Sequence, residues 1–192
     1  MKDCSKLGET GFSSSGVHYI IPDGGSPMQV FCDLITNGGG WTVFQKRLDG
    51  SVDFFRNWES YKNGFGDLNK EFCLGNDNLH RLTFSEDVML RVDMEDFDGN
   101  IKYAEYTTFQ VADEADKYRI LIGGYSGTAG DSLTYASEVN KIARQVGIRG
   151  IFAYGVRNPG NLCFWGPESR ASENITSKLD PTSDCNLESK FH

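Results

Sequence analysis

The run Gly38-Gly-Gly-Trp-Thr-Val-Phe-Gln-Lys-Arg47 carries the strongest structural signal in this chain of 192 residues. Its three glycines precede a segment of aromatic and β-branched residues, Trp41 to Arg47, which predicts a β-strand because such side chains suit a pleated, half-buried surface. Asp49-Gly50 follows closely, and this dipeptide is typical of a tight hairpin turn. We therefore expect a strand that is closed by a hairpin at this dipeptide.

Alternating patterns elsewhere in the chain predict further strands and another turn. Residues Gly16 to Leu34 alternate loosely between apolar and polar side chains and enclose a turn at Pro22-Asp-Gly-Gly25, where glycine accommodates a positive φ. Val88 to Glu95 alternates with period two, which predicts a strand with one mostly polar face. Tyr103 to Phe109 and Tyr118 to Ile122 have the composition of two more strands.

Short helices are expected between these strands. Asn57 can cap a helix that runs to Lys62 and is stopped by Gly64. A second helix is expected from Asn76 to Leu82, with His80 on its surface. The elements before position 135 together predict an α+β domain whose sheet is mainly antiparallel.

The pattern of the chain changes beyond Tyr135. Ser137 can cap a helix that ends at Gly147, and Ile148 to Val156 is an apolar segment that predicts a strand. From Asn158 onward the residues are mainly polar and offer little with which to build a core. Three units are therefore expected: a folded unit at 1–135, a divergent helix and strand at 136–157, and a mobile tail at 158–192.

Composition and charge argue against several classes of function. The chain is 39% hydrophobic and 24% charged, as in an ordinary globular domain, and it contains no apolar run long enough to span a membrane. Its formal net charge is −8 and it has no Lys/Arg cluster, whereas nucleic-acid binding requires a concentrated positive surface. We expect neither a membrane span nor a nucleic-acid partner. The opening Met-Lys-Asp-Cys4 also lacks the apolar segment of a secretory signal peptide.

The five cysteines do not have the spacing of a metal or redox site. No two of them form a Cys-x-x-Cys pair, and the three histidines are scattered along the chain, so no zinc site is expected. The odd number leaves one thiol over or pairs it with another chain, and disulfides among the rest would indicate an oxidising compartment. The residues concerned are Cys4, Cys32, Cys73, Cys163, Cys185, His18, His80 and His192.

An acidic run from Asp93 to Gly99 has some features of a calcium-binding loop. In the EF-hand register, however, the first ligand position falls on Met94, whose thioether is a poor ligand for a hard cation. The flanking segments also predict strands, whereas an EF-hand loop lies between helices. We therefore expect a polar strand end with an Asp-Gly turn here, and no metal site.

The sequence contains no recognisable catalytic motif. Gly123 to Gly130 lacks the Gly-Lys-Ser/Thr ending of a phosphate-binding loop, and Thr128 stands where a nucleophile elbow around Ser126 would need glycine. A cluster of acids before this run would serve a glycosidase only at a defined separation of two carboxylates, and solvated loop acids are far commoner. We therefore expect no enzymatic activity. The cluster consists of Asp113, Glu114 and Asp116.

Six motifs follow one another in order between residues 4 and 135. They are Gly39–Gln45, Asp49–Phe54, Arg56–Trp58, Tyr61–Gly66, Leu74–Asn78 and the long stretch Asp113–Ser132. Together they resemble the signature of fibrinogen-related domains, the recognition domains of fibrinogen chains, ficolins, tachylectins, angiopoietins and tenascins. The resemblance implies a fibrinogen C-terminal-like fold, with a small N-terminal disulfide subdomain and a central, mainly antiparallel sheet with short helices.

The resemblance also implies roles for individual residues. Cys4 and Cys32 match the family's N-terminal disulfide, which would contribute ~3 kcal/mol on the chain-entropy estimate. Trp41 and Trp58 match aromatic residues in the core of the central subdomain. Cys73 departs from the family pattern, because it stands where tryptophan is usual, and a small buried side chain there would leave a cavity unless its neighbours collapse.

The resemblance is lost beyond Tyr135, where the family has a third subdomain with an Asp-rich calcium loop, a second disulfide and an aromatic-walled pocket that often binds acetyl groups. None of these motifs is recognisable here, so the third subdomain is expected to be missing or replaced, and no cofactor, calcium ion or ligand-binding residue is predicted. Cys163 and Cys185 could form a second disulfide. Asn174-Ile-Thr176 is a glycosylation sequon, which agrees with an exported glycoprotein.

The function that the resemblance implies is extracellular recognition, in the manner of secreted, lectin-like proteins of innate immunity. The expected partner is then a glycan or another acetylated ligand. The alternative is an adhesive domain of the tenascin or angiopoietin kind, which would contact a matrix protein or a receptor. A further alternative is a truncated isoform without function. The sequence predicts neither the ligand nor the oligomeric state.

Overall fold

Short helices and antiparallel strands make up the part of the protein that the structure describes. A computed structural model describes residues 1–96 and 98–134. The elements in chain order are α1 (Cys4–Glu9), β1 (Gly16–Ile20), β2 (Met28–Asp33), a 3₁₀ turn (Thr36–Gly38), β3 (Trp41–Val43), β4 (Gln45–Lys46), α2 (Trp58–Asn63), β5 (Phe65–Gly66), β6 (Phe72–Cys73), α3 (Asn76–Phe84), β7 (Val88–Glu95), β8 (Ile101–Val111) and β9 (Ile120–Gly127).

The strands form three small sheets, with the orders β1-β2-β3, β4-β6-β5 and β7-β8-β9. Every strand pair within the described ranges is antiparallel. The third sheet is the largest because its strands are the longest, with 8 residues in β7, 11 in β8 and 8 in β9. This arrangement confirms the predicted α+β class and the mainly antiparallel sheet.

The N-terminal subdomain is built around a disulfide. Cys4 at the start of α1 is bonded to Cys32 in β2, with 5.4 Å between their Cα atoms, as the resemblance implied. Neither cysteine is exposed to solvent. The helix that carries Cys4 was not predicted from the sequence, although Asp3 caps it by accepting a hydrogen bond of 2.8 Å from the amide of Lys6.

The strand expected from Trp41 to Arg47 is divided between two sheets. β3 pairs with β2, whereas β4 pairs with β6, and the fully buried Phe44 lies between them. The amide of Leu74 donates to the carbonyl of Phe44 at 2.7 Å, which holds the chain at the point where it passes from the first sheet to the second. The predicted hairpin at Asp49-Gly50 was therefore wrong, because the strand before this dipeptide pairs with a segment more than 25 residues later.

Both helices that were predicted between residues 57 and 82 are present. Asn57 caps α2 through its side-chain oxygen, which accepts from the amide of Ser60 at 3.0 Å, and Gly64 ends the helix as expected. The second predicted helix is α3, which continues two residues beyond Leu82. The last strand begins at Ile120, two residues later than predicted.

Within residues 1–96 and 98–134, one hydrophobic cluster joins the three sheets and the helices. The rings of Phe44 and Phe109 stack with their planes 5° apart and their centroids 6.3 Å apart. Cys73 belongs to this cluster and is 2% exposed, in agreement with its predicted burial. The largest fully buried side chains of the described residues include Tyr106, Phe44, Phe72 and Phe109.

The two tryptophans that the resemblance assigned to the core differ in burial. Trp41 is 4% exposed, and its indole nitrogen donates to the carbonyl of Thr36 at 2.7 Å. Trp58 is half-buried and packs against the hydrophobic cluster. Its ring packs against Tyr118 and its indole nitrogen donates to Glu114 at 3.0 Å, because one edge faces polar groups near the surface.

Candidate functional site

Some of the residues that the sequence singled out as sites lie among the residues that the structure describes, and others lie beyond them. Cys4 and Cys32 lie in the buried disulfide of the N-terminal subdomain. Cys163, Cys185 and the sequon at Asn174 lie outside the described residues. The units expected at 136–157 and 158–192 also lie outside them.

A charged pair fixes the N-terminal subdomain against α3. Arg81 donates from Nε and Nη2 to the two carboxylate oxygens of Asp23, each at 2.7 Å, and its Nη2 also donates to the carbonyl of Ser26 at 2.7 Å. The hydrogen bonds from Arg81, together with one from the amide of Gly25, hold the pKa of Asp23 well below its usual value. The turn at the tip of the β1–β2 hairpin is thereby held at a defined position.

A buried carboxylate organises the loop that follows β4. Glu71 is fully buried and accepts hydrogen bonds from the amides of Leu48 at 2.7 Å, Gly50 at 3.0 Å and Val52 at 2.8 Å. Arg47 adds a charged contact at 3.2 Å. Burial raises the pKa of Glu71, but the backbone hydrogen bonds outweigh it and the net pKa lies below the usual value. The residues next to Glu71 in the sequence do not predict this role.

Arginine and phenylalanine side chains stack on one another beside the loop held by Glu71. We call them the Arg–Phe surface (Arg47, Phe54, Phe55, Arg56 and Phe65). The guanidinium carbon of Arg47 lies 4.0 Å from the ring centroid of Phe54, and that of Arg56 lies 4.7 Å from the ring centroid of Phe65. The rings of Phe54 and Phe65 meet edge to face at 4.9 Å. Phe55 is 73% exposed. This surface can stack on rings and contact apolar groups of a partner.

A buried tyrosine contacts two phenylalanines of the Arg–Phe surface. Tyr61 on α2 donates from its hydroxyl to the carbonyl of Phe54 at 2.7 Å, and its ring meets Phe65 edge to face at 5.2 Å. Burial raises the pKa of Tyr61 to about 12. Tyr61 therefore remains a neutral donor at physiological pH.

The segment at 128–134, which we call the exit segment, leads from β9 towards the rest of the chain. Its start is held against β8, because the amides of Thr128 and Ala129 both donate to the carbonyl of Tyr103, at 2.8 and 3.1 Å. The hydroxyl of Thr128 accepts from the amide of Tyr103 at 3.1 Å in return. These three hydrogen bonds continue the β8–β9 pairing past the end of the strand.

Two tyrosine hydroxyl groups hold the rest of the exit segment. Tyr106 donates to Asp131 at 3.1 Å, and Tyr125 accepts from the amide of Gly130 at 2.9 Å. Asp131 also accepts from the amide of Thr134 at 3.1 Å, as the cap of a turn does. Burial, with a further contribution from the charge of Asp131, raises the pKa of Tyr106. These hydrogen bonds therefore fix the position of the exit segment where it leaves the central subdomain.

The acids of the cluster that was considered as a glycosidase site form structural contacts with neighbouring side chains. Glu114 pairs with Lys62 and accepts from the indole of Trp58, and these contacts lower the pKa of its carboxyl. Asp116 pairs with Arg119, which lowers its pKa as well. A general acid needs a raised pKa, so these two shifts are opposite to what that role requires.

The end of the acidic run, after β7, forms the turn that was predicted for it. The carboxylate of Asp96 accepts from the amides of Asp98 and Asn100, at 3.0 and 2.9 Å, and the amide of Gly99 donates to the carbonyl of Asp96. Over residues 1–96 and 98–134, no three His, Cys, Asp or Glu side chains gather as a metal site would require. Within the same ranges, no helix has the length and apolar character needed to cross a membrane.

His80 has a different environment from the helix surface that was expected. Its Nδ1 lies 2.8 Å from the carbonyl oxygen of Val111 in β8, and its ring lies 4.9 Å from that of Phe84. The side chain is half-buried because α3 packs directly on β8. His80 therefore connects helix and sheet.

Comparisons with known proteins identify relatives over most of the chain. The family model of the fibrinogen beta and gamma chains, C-terminal globular domain, matches residues 1–148 and so continues past residue 135. Fibrinogen-like protein A of Apostichopus parvimensis is 53% identical over 121 residues, which are 63% of this chain and 43% of that protein. Ficolin-3 of Homo sapiens is 50% identical over 137 residues, which are 71% of this chain and 46% of that protein. The chain thus spans less than half the length of these curated relatives.

Two solved structures have the same fold over the described region. The fibrinogen-like globe domain of human ANGPTL2 matches with a TM-score of 0.68 and 44% sequence identity, over 70% of this chain and 62% of that one. A lamprey fibrin D-dimer, solved in complex with the peptide ligand Gly-His-Arg-Pro-amide, matches with a TM-score of 0.63 and 43% identity. That match covers 68% of this chain and 42% of the lamprey chain.

Proposed function

This chain belongs to the family of the C-terminal globular domain of the fibrinogen beta and gamma chains, and on that premise we propose that it acts as an extracellular recognition domain of the lectin-like type, with acetylated glycans as its ligands. The observation that carries the proposal is the family match over residues 1–148, together with 50% identity to ficolin-3. Families of this kind are binding modules and not enzymes.

The geometry of the described region supports this proposal. In the family, the ligand-bearing part follows the central subdomain, and the exit segment is the corresponding point in this chain. Tyr103 and Tyr106 of β8 hold the exit segment by hydrogen bonds to Thr128, Ala129 and Asp131. A recognition site needs such a rigid support, because side chains must be held close to their binding geometry.

A protein partner is the second candidate, and two observations favour it. The matched lamprey structure was solved with a bound peptide. The Arg–Phe surface of this chain also exposes Phe55, and aromatic and arginine side chains are enriched where proteins bind proteins. In this reading the chain is an adhesive or receptor-binding domain, and glycans play no part in its recognition.

Retention on an N-acetylglucosamine resin distinguishes the two candidates. The purified, oxidised full chain is applied with and without calcium, and elution by free N-acetylglucosamine is compared with elution by glucose, which lacks the acetyl group. Glycan recognition predicts retention that only the acetylated sugar reverses. A chain that passes through the column, or that both sugars elute alike, contradicts the glycan proposal and directs attention to protein partners.

Calorimetry provides an independent measurement of the same interaction. A sugar at one hundred times its dissociation constant adds ~2.7 kcal/mol to the free energy of unfolding. The midpoint of thermal unfolding should therefore rise by roughly 5–10 °C for a domain of this size.

A further inference from the structure

The chain contains two Asn-Gly dipeptides, and the structure places them in different environments. Asn37-Gly38 lies in the 3₁₀ turn between β2 and β3, and Asn63-Gly64 lies at the end of α2. Both asparagines are exposed. The pair therefore offers a comparison of the same chemical group in two local structures.

An Asn-Gly dipeptide can rearrange without an enzyme. The backbone nitrogen of the glycine attacks Cγ of the asparagine, the side-chain NH2 leaves as ammonia, and a five-membered succinimide forms. Water then opens either imide bond, which gives aspartate or its isomer with the main chain running through Cβ. Glycine favours the attack because it has no Cβ to obstruct the bending of the backbone.

The dipeptide in the 3₁₀ turn has room for this rearrangement. Asn37 has a left-handed conformation, with φ 46° and ψ 47°. A Cβ placed on Gly38 would meet no atom within 4 Å, so the space around the attacking nitrogen is open. The side-chain nitrogen of Asn37 donates a hydrogen bond of 3.1 Å to Glu105 on β8.

The dipeptide at the end of α2 is held in place by several contacts. The amide of Gly64, which would be the nucleophile, donates to the carbonyl of Ser60 at 2.8 Å. A Cβ on Gly64 would lie 2.5 Å from the carbonyl oxygen of Leu74, so the backbone is packed against its neighbour. The side-chain nitrogen of Asn63 donates to the side chain of Glu59 at 2.6 Å and to its carbonyl at 3.0 Å.

We propose that Asn37 is a site of spontaneous deamidation in the folded protein, and that the fold protects Asn63. The reaction also changes the contact between the turn and the third sheet. It replaces the NH2 that donates to Glu105 by a carboxylate, which faces the carboxylate of Glu105. Arg91 already pairs with Glu105 at 2.6 Å and with Asp93 at 2.7 Å, so one guanidinium would then face three carboxylates. The turn is therefore held less firmly against β8 after the reaction.

Peptide mapping of the full chain tests this proposal with an internal reference. The oxidised protein is incubated near neutral pH in native buffer and, in parallel, in denaturant, and the two Asn-Gly peptides are quantified by mass spectrometry. Methylation by an isoaspartyl methyltransferase identifies the isomerised product. The variant Asn37→Gln is the control, because the larger ring closes much more slowly.

The native sample should convert Asn37 at least about tenfold faster than Asn63, a difference in barrier of ~1.4 kcal/mol. In denaturant the two rates should approach each other, because the flanking glycine is then the same and the fold no longer distinguishes the sites. Equal rates in the native sample, faster conversion of Asn63, or the same ratio in both samples would overturn the proposal. Because this readout involves no sugar or partner, it is independent of the outcome of the resin experiment.

Discussion

Arg81 on α3 binds Asp23 in the β1–β2 turn through two parallel hydrogen bonds of 2.7 Å, although the two residues are 58 positions apart. This bidentate geometry fits the planar guanidinium to the carboxylate and cannot be reproduced by lysine. The pair joins the N-terminal subdomain to α3, whereas the disulfide acts within that subdomain.

Removal of one partner of this pair should lower stability at neutral pH. Asp23→Asn and Arg81→Lys should each reduce the free energy of unfolding by about 1 kcal/mol, since both side chains are about one-quarter to one-third exposed and solvent screens their attraction. Urea unfolding measures this change. The control is Glu9→Gln, which removes the solvent-exposed ion pair with Lys6 and should have almost no effect on the free energy of unfolding.

The pH dependence of the Asp23 contribution follows from its lowered pKa. The folded pKa lies below the ordinary value of 3.8, so the contribution is fully present above that value and is lost as the pH falls through the folded pKa. The difference in stability between the wild type and Asp23→Asn should therefore be constant above about pH 5 and shrink as the pH is lowered further. A difference that grows towards acid pH would contradict this account.

Glu71→Gln should be among the most damaging conservative substitutions in the chain. An amide group would turn NH2 towards backbone amides that now donate to a carboxylate, and it would remove the charge that faces Arg47. The expected loss is about 3 kcal/mol, as for the breaking of other buried charged networks. Glu86→Gln is the matched control, because Glu86 is 45% exposed and its pair with Lys2 lies at the surface. A similar loss in both variants would contradict the structural role of Glu71.

The double variant Cys4→Ala with Cys32→Ala should unfold at lower denaturant concentration. The bond closes a loop with a sequence separation of 28 residues, so its removal should cost about 3 kcal/mol on the chain-entropy model. Guanidinium unfolding of the oxidised protein and of the double variant measures the difference. Equal midpoints would show that the subdomain is held by its packing alone.

Gly38→Ala and Gly39→Ala form a matched pair within the glycine run. Both glycines have positive φ, 88° and 71°, so both variants incur the strain of a left-handed backbone. A Cβ on Gly38 would meet open space, whereas one on Gly39 would lie 2.2 Å from the carbonyl oxygen of Leu34. We expect a loss of about 1 to 2 kcal/mol for Gly38→Ala and of about 3 kcal/mol or more for Gly39→Ala. The difference between the midpoints of thermal unfolding of the two variants measures the effect of the close approach between Gly39 and Leu34.

Local features were well predicted because their causes lie within a few residues of one another. Asn57 caps α2 through an amide three positions away, and Gly64 ends the same helix. The segment predicted as a strand, Val88 to Glu95, coincides with β7, and its burial alternates as far as Asp93. The prediction of the acidic turn at Asp96 was confirmed for the same reason, since its hydrogen bonds reach only four residues ahead.

Features that depend on distant partners were missed or misjudged. The hairpin at Asp49-Gly50 does not form, because β4 finds its partner in β6 and Glu71 takes the amides of the loop. Tyr118 was expected in a strand but has φ 52°, and its hydroxyl donates to Asp77 on α3 at 2.5 Å. Neither partner can be inferred from residues that lie nearby in the sequence.

The sequence by itself determined the family, the α+β class, the capped helix α2 and the strand β7, because motif order, capping and side-chain periodicity act over short distances. The tertiary structure alone decided the division of the strand at Phe44, the role of Glu71 and the clamp between Asp23 and Arg81. Each of these joins residues between 19 and 58 positions apart. Such contacts form only when packing of the core has brought the segments together, and no local pattern in the chain encodes that packing.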